Sequence, residues 1–301
     1  GSGVLFNTTP TVQGALTIAQ AHRQFGTTAI LPTVITDAPE VLDAACDAIL
    51  ESAGQNGIAG IHIEGPHISV ARHGTHAIKY IRPLDTRTIE RVRQLRSHDI
   101  TTLITLAPEA VRPGQIADLV TTGAVVSLGH SDATAAQTRA ALAEGAQLFT
   151  HLFNAMSPMQ NREPGVTGAA INSDAYCSII CDGIHVSGEM VGLAIRARPT
   201  PGRMIIVSDA MSTVGGPDSL ELYGDVIHLK QGRLINSSGS LAGAHTTMAK
   251  SIGYLVTTLD IPLETALRMA ITNPARLMGL SDRFMLLGAD VDDCVCLATD
   301  F

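Results

Sequence analysis

Short runs of β-branched and other apolar residues alternate along most of this chain with longer segments of mixed polar and apolar residues. The short runs predict buried strands, and the longer segments, with apolar residues three or four positions apart, predict amphipathic helices. Strand candidates occupy residues 28–33, 60–64, 101–107, 124–130, 148–152, 177–183 and 203–210. Helix candidates occupy residues 11–25, 38–54, 85–97, 113–122, 134–144 and 187–197. This alternation predicts an α/β fold with a parallel sheet that is buried on both faces.

A (β/α)8 barrel, the TIM-barrel architecture, needs eight strands, and this chain offers seven candidates. The helix candidate at residues 11–25 has no strand before it, so we expect the first barrel strand to lie upstream of Gly1. An open doubly wound sheet is the competing architecture. It favours a glycine-rich phosphate loop after an early strand, and the sequence has none there. The pattern therefore predicts a TIM-like barrel whose first strand lies outside this chain.

The pattern changes after the seventh strand candidate. Residues 223–235 alternate like a β-hairpin with a Gln-Gly turn. Helix candidates follow at residues 246–259, 262–270 and 273–279, the last of which opens on an Asn-Pro pair. We therefore assign residues 1–285 to the barrel and predict that residues 286–301 begin a strand leading out of it towards a small β-sandwich domain.

The composition describes a globular protein with a large core, since 45% of the residues are hydrophobic and 16% are charged. Asp and Glu outnumber Lys and Arg by 28 to 20, which argues against a nucleic-acid partner. No apolar stretch reaches the length of a membrane-spanning helix. The five cysteines are odd in number and dispersed, which favours free thiols in a reducing cytosol.

Polar residues capable of metal binding or proton transfer stand where the strand candidates end. Glu64, His130 and His151 stand at the ends of three strand candidates, and Asp209 closes the last apolar run. In a barrel the carboxyl ends of the strands meet at one mouth, where active sites are built. One Glu and two His form a ligand set suited to Zn²⁺ or Fe²⁺, with positions left open for water. Asp209 is then a fourth ligand, a partner of a ligand, or the general base.

The order of several short motifs resembles that of a known family. The motifs are HIEGPH, GTH, LAPE, SLGHSDA, THLFNAM, REPG, DGIH, VSDA and NPA. They occur in the order found in N-acetylglucosamine-6-phosphate deacetylases of the amidohydrolase superfamily, and the resemblance runs over nearly the whole chain. It implies a metal-dependent hydrolase that converts N-acetylglucosamine 6-phosphate to glucosamine 6-phosphate and acetate in amino-sugar catabolism.

The resemblance implies metal ligands at Glu64, His130 and His151 and a catalytic acid/base at Asp209. One divalent ion, Zn²⁺ or Fe²⁺, is expected from these residues. Some members of the superfamily carry a His-x-His pair at the end of the first strand, and such a pair upstream of this chain would hold a second ion.

Five further positions match substrate-binding residues of the family. His76 matches a contact near the acetamido group, while Asn154 and Ala155 match a backbone segment that holds the sugar-phosphate end. Arg162 matches an Arg that pairs with the phosphate, and His185 matches another substrate-contacting His. The family is usually homodimeric and has a small β-sandwich, most of which lies outside this chain. We therefore expect a cytoplasmic homodimer whose small-molecule partner is an amino-sugar phosphate.

The chain departs from the family at His245, where a small polar or apolar residue is more usual, and the role of this residue stays open. Two other functions also stay open. The first is an amidohydrolase acting on a cyclic or another acyl amide, although cyclic-amide enzymes typically use a carboxylated Lys at a strand end, and Lys79 is not at one. The second is a catalytically silent barrel that binds a sugar phosphate, against which the intact metal-binding and acid/base residues argue.

Overall fold

The computed structural model describes residues 1–285, 287–289 and 291–296. Its centre is a curled sheet of seven parallel strands that pair in chain order. The strands are β1 (Thr33–Ile35), β2 (Gly60–Glu64), β3 (Thr101–Leu106), β4 (Val125–Leu128), β5 (Leu148–Phe149), β6 (Tyr176–Ile180) and β7 (Met204–Val207). In the described part of the chain, β1 and β7 are the two ends of this sheet. The predicted α/β architecture is confirmed.

Helices alternate with these strands. They are α1 (Val12–Arg23), α2 (Pro39–Ser52), α3 (Thr86–Ser97), α4 (Gln115–Thr121), α5 (Ala135–Ala143), α6 (Gly165–Ile171) and α7 (Gly188–Arg196). The side chains of Thr11, Asp85 and Thr134 accept a backbone N–H of the first turn and so begin α1, α3 and α5. All six helices predicted in this region are present, and α6 is additional. Within the described ranges, none of the helices combines the length and apolar character needed to cross a bilayer.

The strands lie between the interior of the curled sheet and the surrounding helices. Every residue of β3, β4 and β6 is buried. Ile104 of β3 and Ile179 of β6 have no exposed surface and belong to the main core, which strands and helices share. Burial on both faces explains why these strands read as continuous apolar runs and not as an alternation of apolar and polar residues.

The first strand lies later in the chain than the sequence predicted. The apolar run predicted a strand over residues 28–33, whereas β1 covers Thr33–Ile35 and Ile30 forms only an isolated bridge. Pro32 separates the bridge from the strand and has no backbone N–H, although its carbonyl accepts the backbone N–H of His62 at 3.1 Å. The missing donor interrupts the ladder, which then resumes after the proline.

The sequence pattern missed α6. Gly165 and Gly168 lower the helix propensity of its GVTGAAI segment. All seven residues of the helix are nevertheless buried, and it packs against α5. Burial of the whole segment therefore overrides its weak propensity, because tertiary packing supplies most of the stability of a short helix.

A second, antiparallel sheet follows β7. Its strands are β8 (Ser219–Leu222), β9 (Asp225–Lys230), β10 (Arg233–Ile235) and β11 (Leu241–Ala244). The predicted hairpin is formed by β9 and β10, and its Gln231-Gly232 turn has φ angles of 52° and 78°, the positive pair that a type I′ turn requires. The sequence pattern did not predict β8 or β11. The sheet is attached to the residues after β7 by a bridge between Ala244 and Ala210.

The last three α-helices in the described ranges are α8 (Met248–Gly253), α9 (Leu263–Leu267) and α10 (Asn273–Leu277). π-Helical turns at residues 254–258 and 268–272 extend α8 and join α9 to α10. The last helix begins at the Asn-Pro pair, as predicted, but it continues directly from a π turn and not from a loop. The wider π turn accommodates Pro274, which has no N–H and whose ring needs room against the preceding turn.

The predicted exit strand over residues 286–301 stays a prediction. Residues 286, 290 and 297–301 lie outside the described part of the chain, and Val291–Asp293 form a short 3-10 turn.

Truncation of Ile104, which has no exposed surface, should lower the free energy of unfolding by about 2–5 kcal/mol, because Ile104→Ala leaves a cavity in a close-packed core. Urea denaturation of the two proteins measures this difference. Ile271→Ala is the matched control, since Ile271 is 47% exposed and its truncation should change the free energy of unfolding by no more than about 0.5 kcal/mol. Equal losses at the two positions would contradict the assignment of β3 to the core.

Candidate active site

Three of the strand-end residues meet at one point of the barrel mouth. Oε1 of Glu64 lies 3.0 Å from Nε2 of His151 and 3.3 Å from Nε2 of His130. The two imidazole nitrogens are 3.1 Å apart. Each of the three side chains exposes only 5–7% of its surface. The structure thus brings the carboxylate and both imidazoles of β2, β4 and β5 into one buried cluster.

Asp209, which follows β7, faces the same cluster. Its carboxylate charge interacts with Glu64, His151, His185 and His130. The residue keeps part of its surface exposed, as a side chain in an open mouth does. Loss of hydration around the carboxylate, together with the negative charge of Glu64, nevertheless raises the pKa of Asp209 to about 6. Because its pKa is higher than that of an ordinary surface carboxylate, Asp209 can take up and release a proton near neutrality.

The backbone turns sharply at the strand ends that carry these groups. The φ angles are 48° at His130, 35° at His151 and 48° at Asp209, all in the left-handed region that non-glycine residues rarely adopt. Hydrogen bonds hold two of these turns. The backbone N–H of His151 donates to Oγ of Ser178 at 2.8 Å, and the carbonyl of Asp209 accepts the N–H of Ala244 at 2.8 Å. The second sheet therefore fixes the backbone of Asp209.

The charges of the cluster depend on one another. Burial opposes ionisation of Glu64, but hydrogen bonds with His130 and His151 hold its pKa well below its usual range. Burial likewise opposes a charge on His151, yet the hydrogen bond to Glu64 raises the pKa of His151 to about 9. The carboxylate thus requires a positive partner in this position, either a protonated imidazole or a cation.

The geometry of the three donor atoms suits a metal ion. Ligands bound at about 2.0–2.2 Å in tetrahedral or octahedral geometry lie about 3.0–3.4 Å apart, which is the spacing found between Glu64, His130 and His151. Nδ1 of His130 lies 2.9 Å from the carbonyl of Arg72, so its N–H is directed there and Nε2 is left to face the cluster. These residues could therefore hold a divalent cation.

His76 borders the same space. Its ring centroid lies 4.4 Å from that of His130, and one donor atom each of Glu64, His76 and His130 falls within 4.8 Å of the other two. Nδ1 of His76 is 2.7 Å from Oγ1 of Thr36. Burial, and after it the charge of His130, lowers the pKa of His76 well below its usual range, so the ring is neutral. The Thr36 hydroxyl can donate to Nδ1, and in that tautomer Nε2 of His76 carries the proton and can donate a hydrogen bond.

A layer of hydrogen-bonded polar side chains lies below the cluster. His62, two residues before Glu64 on the same face of β2, lies 3.2 Å from Oγ1 of Thr33 and 2.8 Å from Oγ1 of Thr105. The chain continues from Thr105 to Thr150 at 2.7 Å and from Thr150 to Oγ of Ser127 at 2.5 Å. Burial lowers the pKa of His62 to about 4, so its ring is neutral. This layer joins β1 to β5 inside the barrel.

His185 follows β6 and is held by a nearby carboxylate. Nδ1 of His185 lies 2.7 Å from Oδ2 of Asp182, and the other carboxylate oxygen accepts the backbone N–H groups of Ile184 and His185 at 2.9 Å. Nε2 of His185 is buried and has no hydrogen-bond partner among the described residues.

The remaining substrate candidates lie in the loop after β5. Nδ2 of Asn154 approaches the carbonyl of His151 at 3.4 Å, and the carbonyl of Ala155 accepts the backbone N–H of Ser131 at 3.0 Å. Arg162, further along the loop, is exposed and has no hydrogen-bond or ion-pair partner in the part of the chain that the structure describes. The structure therefore places Asn154 and Ala155 next to the cluster but does not tie the Arg162 guanidinium to it.

Sequence reasoning missed the polar partners of three histidines. They are Thr36 for His76, Asp182 for His185 and, at 3.0 Å from Nδ1, Thr213 for His245. The contact between Asp182 and His185 could have been predicted from the Asp-Gly dipeptide at residues 182–183. In such turns, Asp accepts backbone N–H groups two and three residues further on. No local sequence pattern predicts the two threonine contacts, because Thr36 is 40 residues from His76 and Thr213 is 32 residues from His245.

The chain belongs to the amidohydrolase family, whose family model matches residues 11–284. The N-acetylgalactosamine-6-phosphate deacetylase of Shewanella sp. (strain ANA-3) is 44% identical over 279 residues, which cover 91% of this chain and 70% of that protein. The N-acetylglucosamine-6-phosphate deacetylase of Haemophilus influenzae is 36% identical over 287 residues, which cover 93% of this chain and 74% of that protein. The crystal structure of N-acetylglucosamine-6-phosphate deacetylase from Pasteurella multocida matches with a TM-score of 0.88 at 36% identity, over 94% of this chain and 75% of that one. The resemblance first seen in the motifs is confirmed, and the chain is a hydrolase of a metal-dependent family.

Proposed function

We propose that this protein hydrolyses the acetamido group of N-acetylglucosamine 6-phosphate, giving glucosamine 6-phosphate and acetate in amino-sugar catabolism. The observation that carries the proposal is the buried Glu64, His130 and His151 cluster beside an Asp209 carboxyl group whose pKa is raised to about 6. An unreactive amide needs both a centre that polarises it and a group that moves protons. The Haemophilus and Pasteurella relatives support the choice of sugar.

N-acetylgalactosamine 6-phosphate is a second candidate substrate. It differs from the first sugar only in the configuration at C4, away from the acetamido and phosphate groups. The 44% identity to the Shewanella relative favours it. The chemistry proposed for the cluster is the same for both sugars, so the two substrates are separated by assay and not by mechanism.

We propose that Glu64, His130 and His151 hold one divalent cation, Zn²⁺ or Fe²⁺. One carboxylate oxygen and two imidazole nitrogens suit both ions and leave positions for water and substrate. When bound, the ion would lower the pKa of a water molecule and polarise the acetyl carbonyl group. It would also supply the positive charge that the buried Glu64 requires.

Asp209 moves the proton in both halves of the reaction. Because its pKa is about 6, the carboxylate is mostly ionised at pH 7 and can accept a proton from the attacking water. The same group then donates that proton to the leaving amine nitrogen, which departs poorly unless it is protonated. Nε2–H of His76 donates a hydrogen bond to the acetyl oxygen as negative charge develops on it.

The other end of the substrate contacts the loop residues. We propose that the exposed Arg162 pairs with the phosphate, since a guanidinium binds phosphate oxygens in a bidentate manner. The backbone of Asn154 and Ala155 contacts the sugar-phosphate end, and Nε2 of His185, buried and without a partner in the described structure, contacts the substrate between the two ends.

We further propose a cytoplasmic homodimer. Ile78, which is 51% exposed, and Met159, which is 47% exposed, lie in the loops after β2 and β5, and burial of such side chains against a second subunit would stabilise the dimer. Cys46, Cys177 and Cys181 are buried free thiols, as is usual in a reducing compartment.

Removal of the His151 imidazole should abolish metal binding. His151→Ala leaves only two of the three donors, so the variant should retain little of the roughly one ion per chain that the wild type binds. Elemental analysis after dialysis against metal-free buffer measures this stoichiometry. His98→Ala is the control, because His98 is exposed at the end of α3 and should not affect metal content. Full metal content in His151→Ala would place the ion elsewhere.

Replacement of Asp209 by Asn should lower kcat for deacetylation by about 10³-fold, because the amide can neither accept nor donate the transferred proton. Asn also tolerates the left-handed backbone at this position, where φ is 48°, so the variant should fold. Acetate release from both sugar phosphates by metal-loaded protein measures kcat, and elemental analysis should show that the variant keeps its metal. Loss of the metal would instead make Asp209 a ligand.

The same assay on the wild-type protein tests the proposed function itself. Acetate release from one or both sugar phosphates supports it. Tight binding of the sugar phosphates without any turnover would identify a silent binding protein. Turnover of a cyclic amide in place of the sugar phosphates would identify a different amidohydrolase.

Replacement of Arg162 by Ala should weaken the preference for the phosphorylated sugar over N-acetylglucosamine. For the phosphorylated substrate, we expect kcat/KM to fall by a factor that corresponds to about 1–3 kcal/mol of lost transition-state stabilisation, because one charged pair in a solvent-accessible loop is lost. The kcat/KM values for both sugars, with and without phosphate, give this figure. Arg196→Ala, at the end of α7 that lies away from the mouth, is the matched control. An unchanged preference in Arg162→Ala would remove Arg162 from the phosphate site.

A further inference from the structure

The loop after β6 contains a carboxylate and an imidazole that form a closed pair. Oδ1 of Asp182 accepts the backbone N–H groups of Ile184 and His185, each at 2.9 Å, and Oδ2 lies 2.7 Å from Nδ1 of His185. Both side chains are buried and expose 7% of their surface. The pair lies near the proposed acid/base, since the side chains of His185 and Asp209 are close enough to interact electrostatically.

The hydrogen bonds determine where the proton of His185 resides. Burial opposes ionisation of Asp182, but hydrogen bonds from the ring and the backbone of His185 lower its pKa below the usual value. An ionised carboxylate can only accept hydrogen bonds, so Nδ1 of His185 must carry a hydrogen. Nε2 is then the one ring nitrogen left to meet another group.

Nε2 of His185 is buried and has no hydrogen-bond partner among the described residues. A buried polar atom without a partner costs about 1–3 kcal/mol, which favours a ligand that completes the bond. The substrate proposed for the neighbouring cluster is that ligand.

We propose that Asp182 is a positioning residue for the reaction. It holds the His185 ring in one orientation with Nδ1 protonated, so that Nε2 is presented to the substrate. This inference rests on the proposed function, since it takes the substrate as the group that Nε2 contacts. The competing interpretation is that Asp182 only closes the turn through the backbone of Ile184 and His185.

Asp182→Asn separates these two interpretations. The amide oxygen can keep both backbone N–H groups, so the turn is preserved. The amide NH₂ group must then face Nδ1, and in a neutral ring this moves the proton to Nε2. In serine proteases whose catalytic His is held by a buried Asp, the same substitution keeps the geometry but lowers kcat by about 10⁴-fold through the wrong tautomer.

The experiment combines kinetics with nitrogen-15 NMR of the metal-loaded full chain. Asp182→Asn should lower kcat/KM about 10²-fold or more in the wild-type background. In a His185→Gln background the same change should lower kcat/KM by less than about 3-fold, because Asp182 then has no ring to position. In the substrate-free wild type, the His185 resonances, assigned by their loss in His185→Gln, should show a protonated Nδ1.

Two results would overturn the proposal. The first is an equal fractional loss from Asp182→Asn in both backgrounds, which is the behaviour of a residue that only stabilises the turn. The second is an unprotonated Nδ1 in the wild-type spectrum, a measurement that needs no folded Asp182 variant. The spectrum is recorded without substrate and does not depend on activity. A wild type that releases no acetate would therefore refute the proposed function, while the protonation of His185 would still be measured as a separate result.

Discussion

The carboxylate of Glu64 is the group on which the geometry of the mouth depends. An ionised carboxylate taken out of water costs several kcal/mol unless an opposite charge and hydrogen bonds compensate it. Here the compensation comes from His130 and His151, at the ends of two other strands. A register slip of one residue in β2 would turn Glu64 to the opposite face. The register of the strands from β2 through β5 is therefore constrained by the electrostatic requirement of Glu64 as well as by the apolar core.

The layer below the cluster supports this arrangement. Hydroxyl groups both donate and accept, so Thr105, Thr150 and Ser127 form a continuous hydrogen-bonded chain from the neutral ring of His62. A polar layer inside a barrel is stable only when its members are satisfied, because unpaired buried polar groups are costly. Since Thr150 precedes His151 directly, and His62 lies two residues before Glu64, the layer limits the movement of residues that carry the cluster.

Much of this site could be predicted from the sequence, because its main residues stand at strand ends. The alternation of strands and helices located Glu64, His130, His151 and Asp209, and the carboxyl ends of parallel strands share one edge. The rest depends on contacts that local patterns do not encode. Pro32 displaced a strand by removing one donor, and α6 formed through burial despite its two glycines. Contacts such as Thr36 with His76 join residues that only the folded chain brings together.

The left-handed backbone at His130 and His151 also limits which residues could take their place in the proposed metal centre. Aspartate and asparagine adopt that conformation more easily than most residues, whereas β-branched residues do so only with severe strain. Asp or Asn can thus stand at either position without added backbone strain, but their side-chain oxygen atoms lie closer to the main chain than Nε2 of His does and fall short of the cluster. Mg²⁺ and Mn²⁺ prefer oxygen ligands, so a change of the centre towards these harder cations needs a longer carboxylate or a shift of the strand ends in addition to the exchange of His130 or His151.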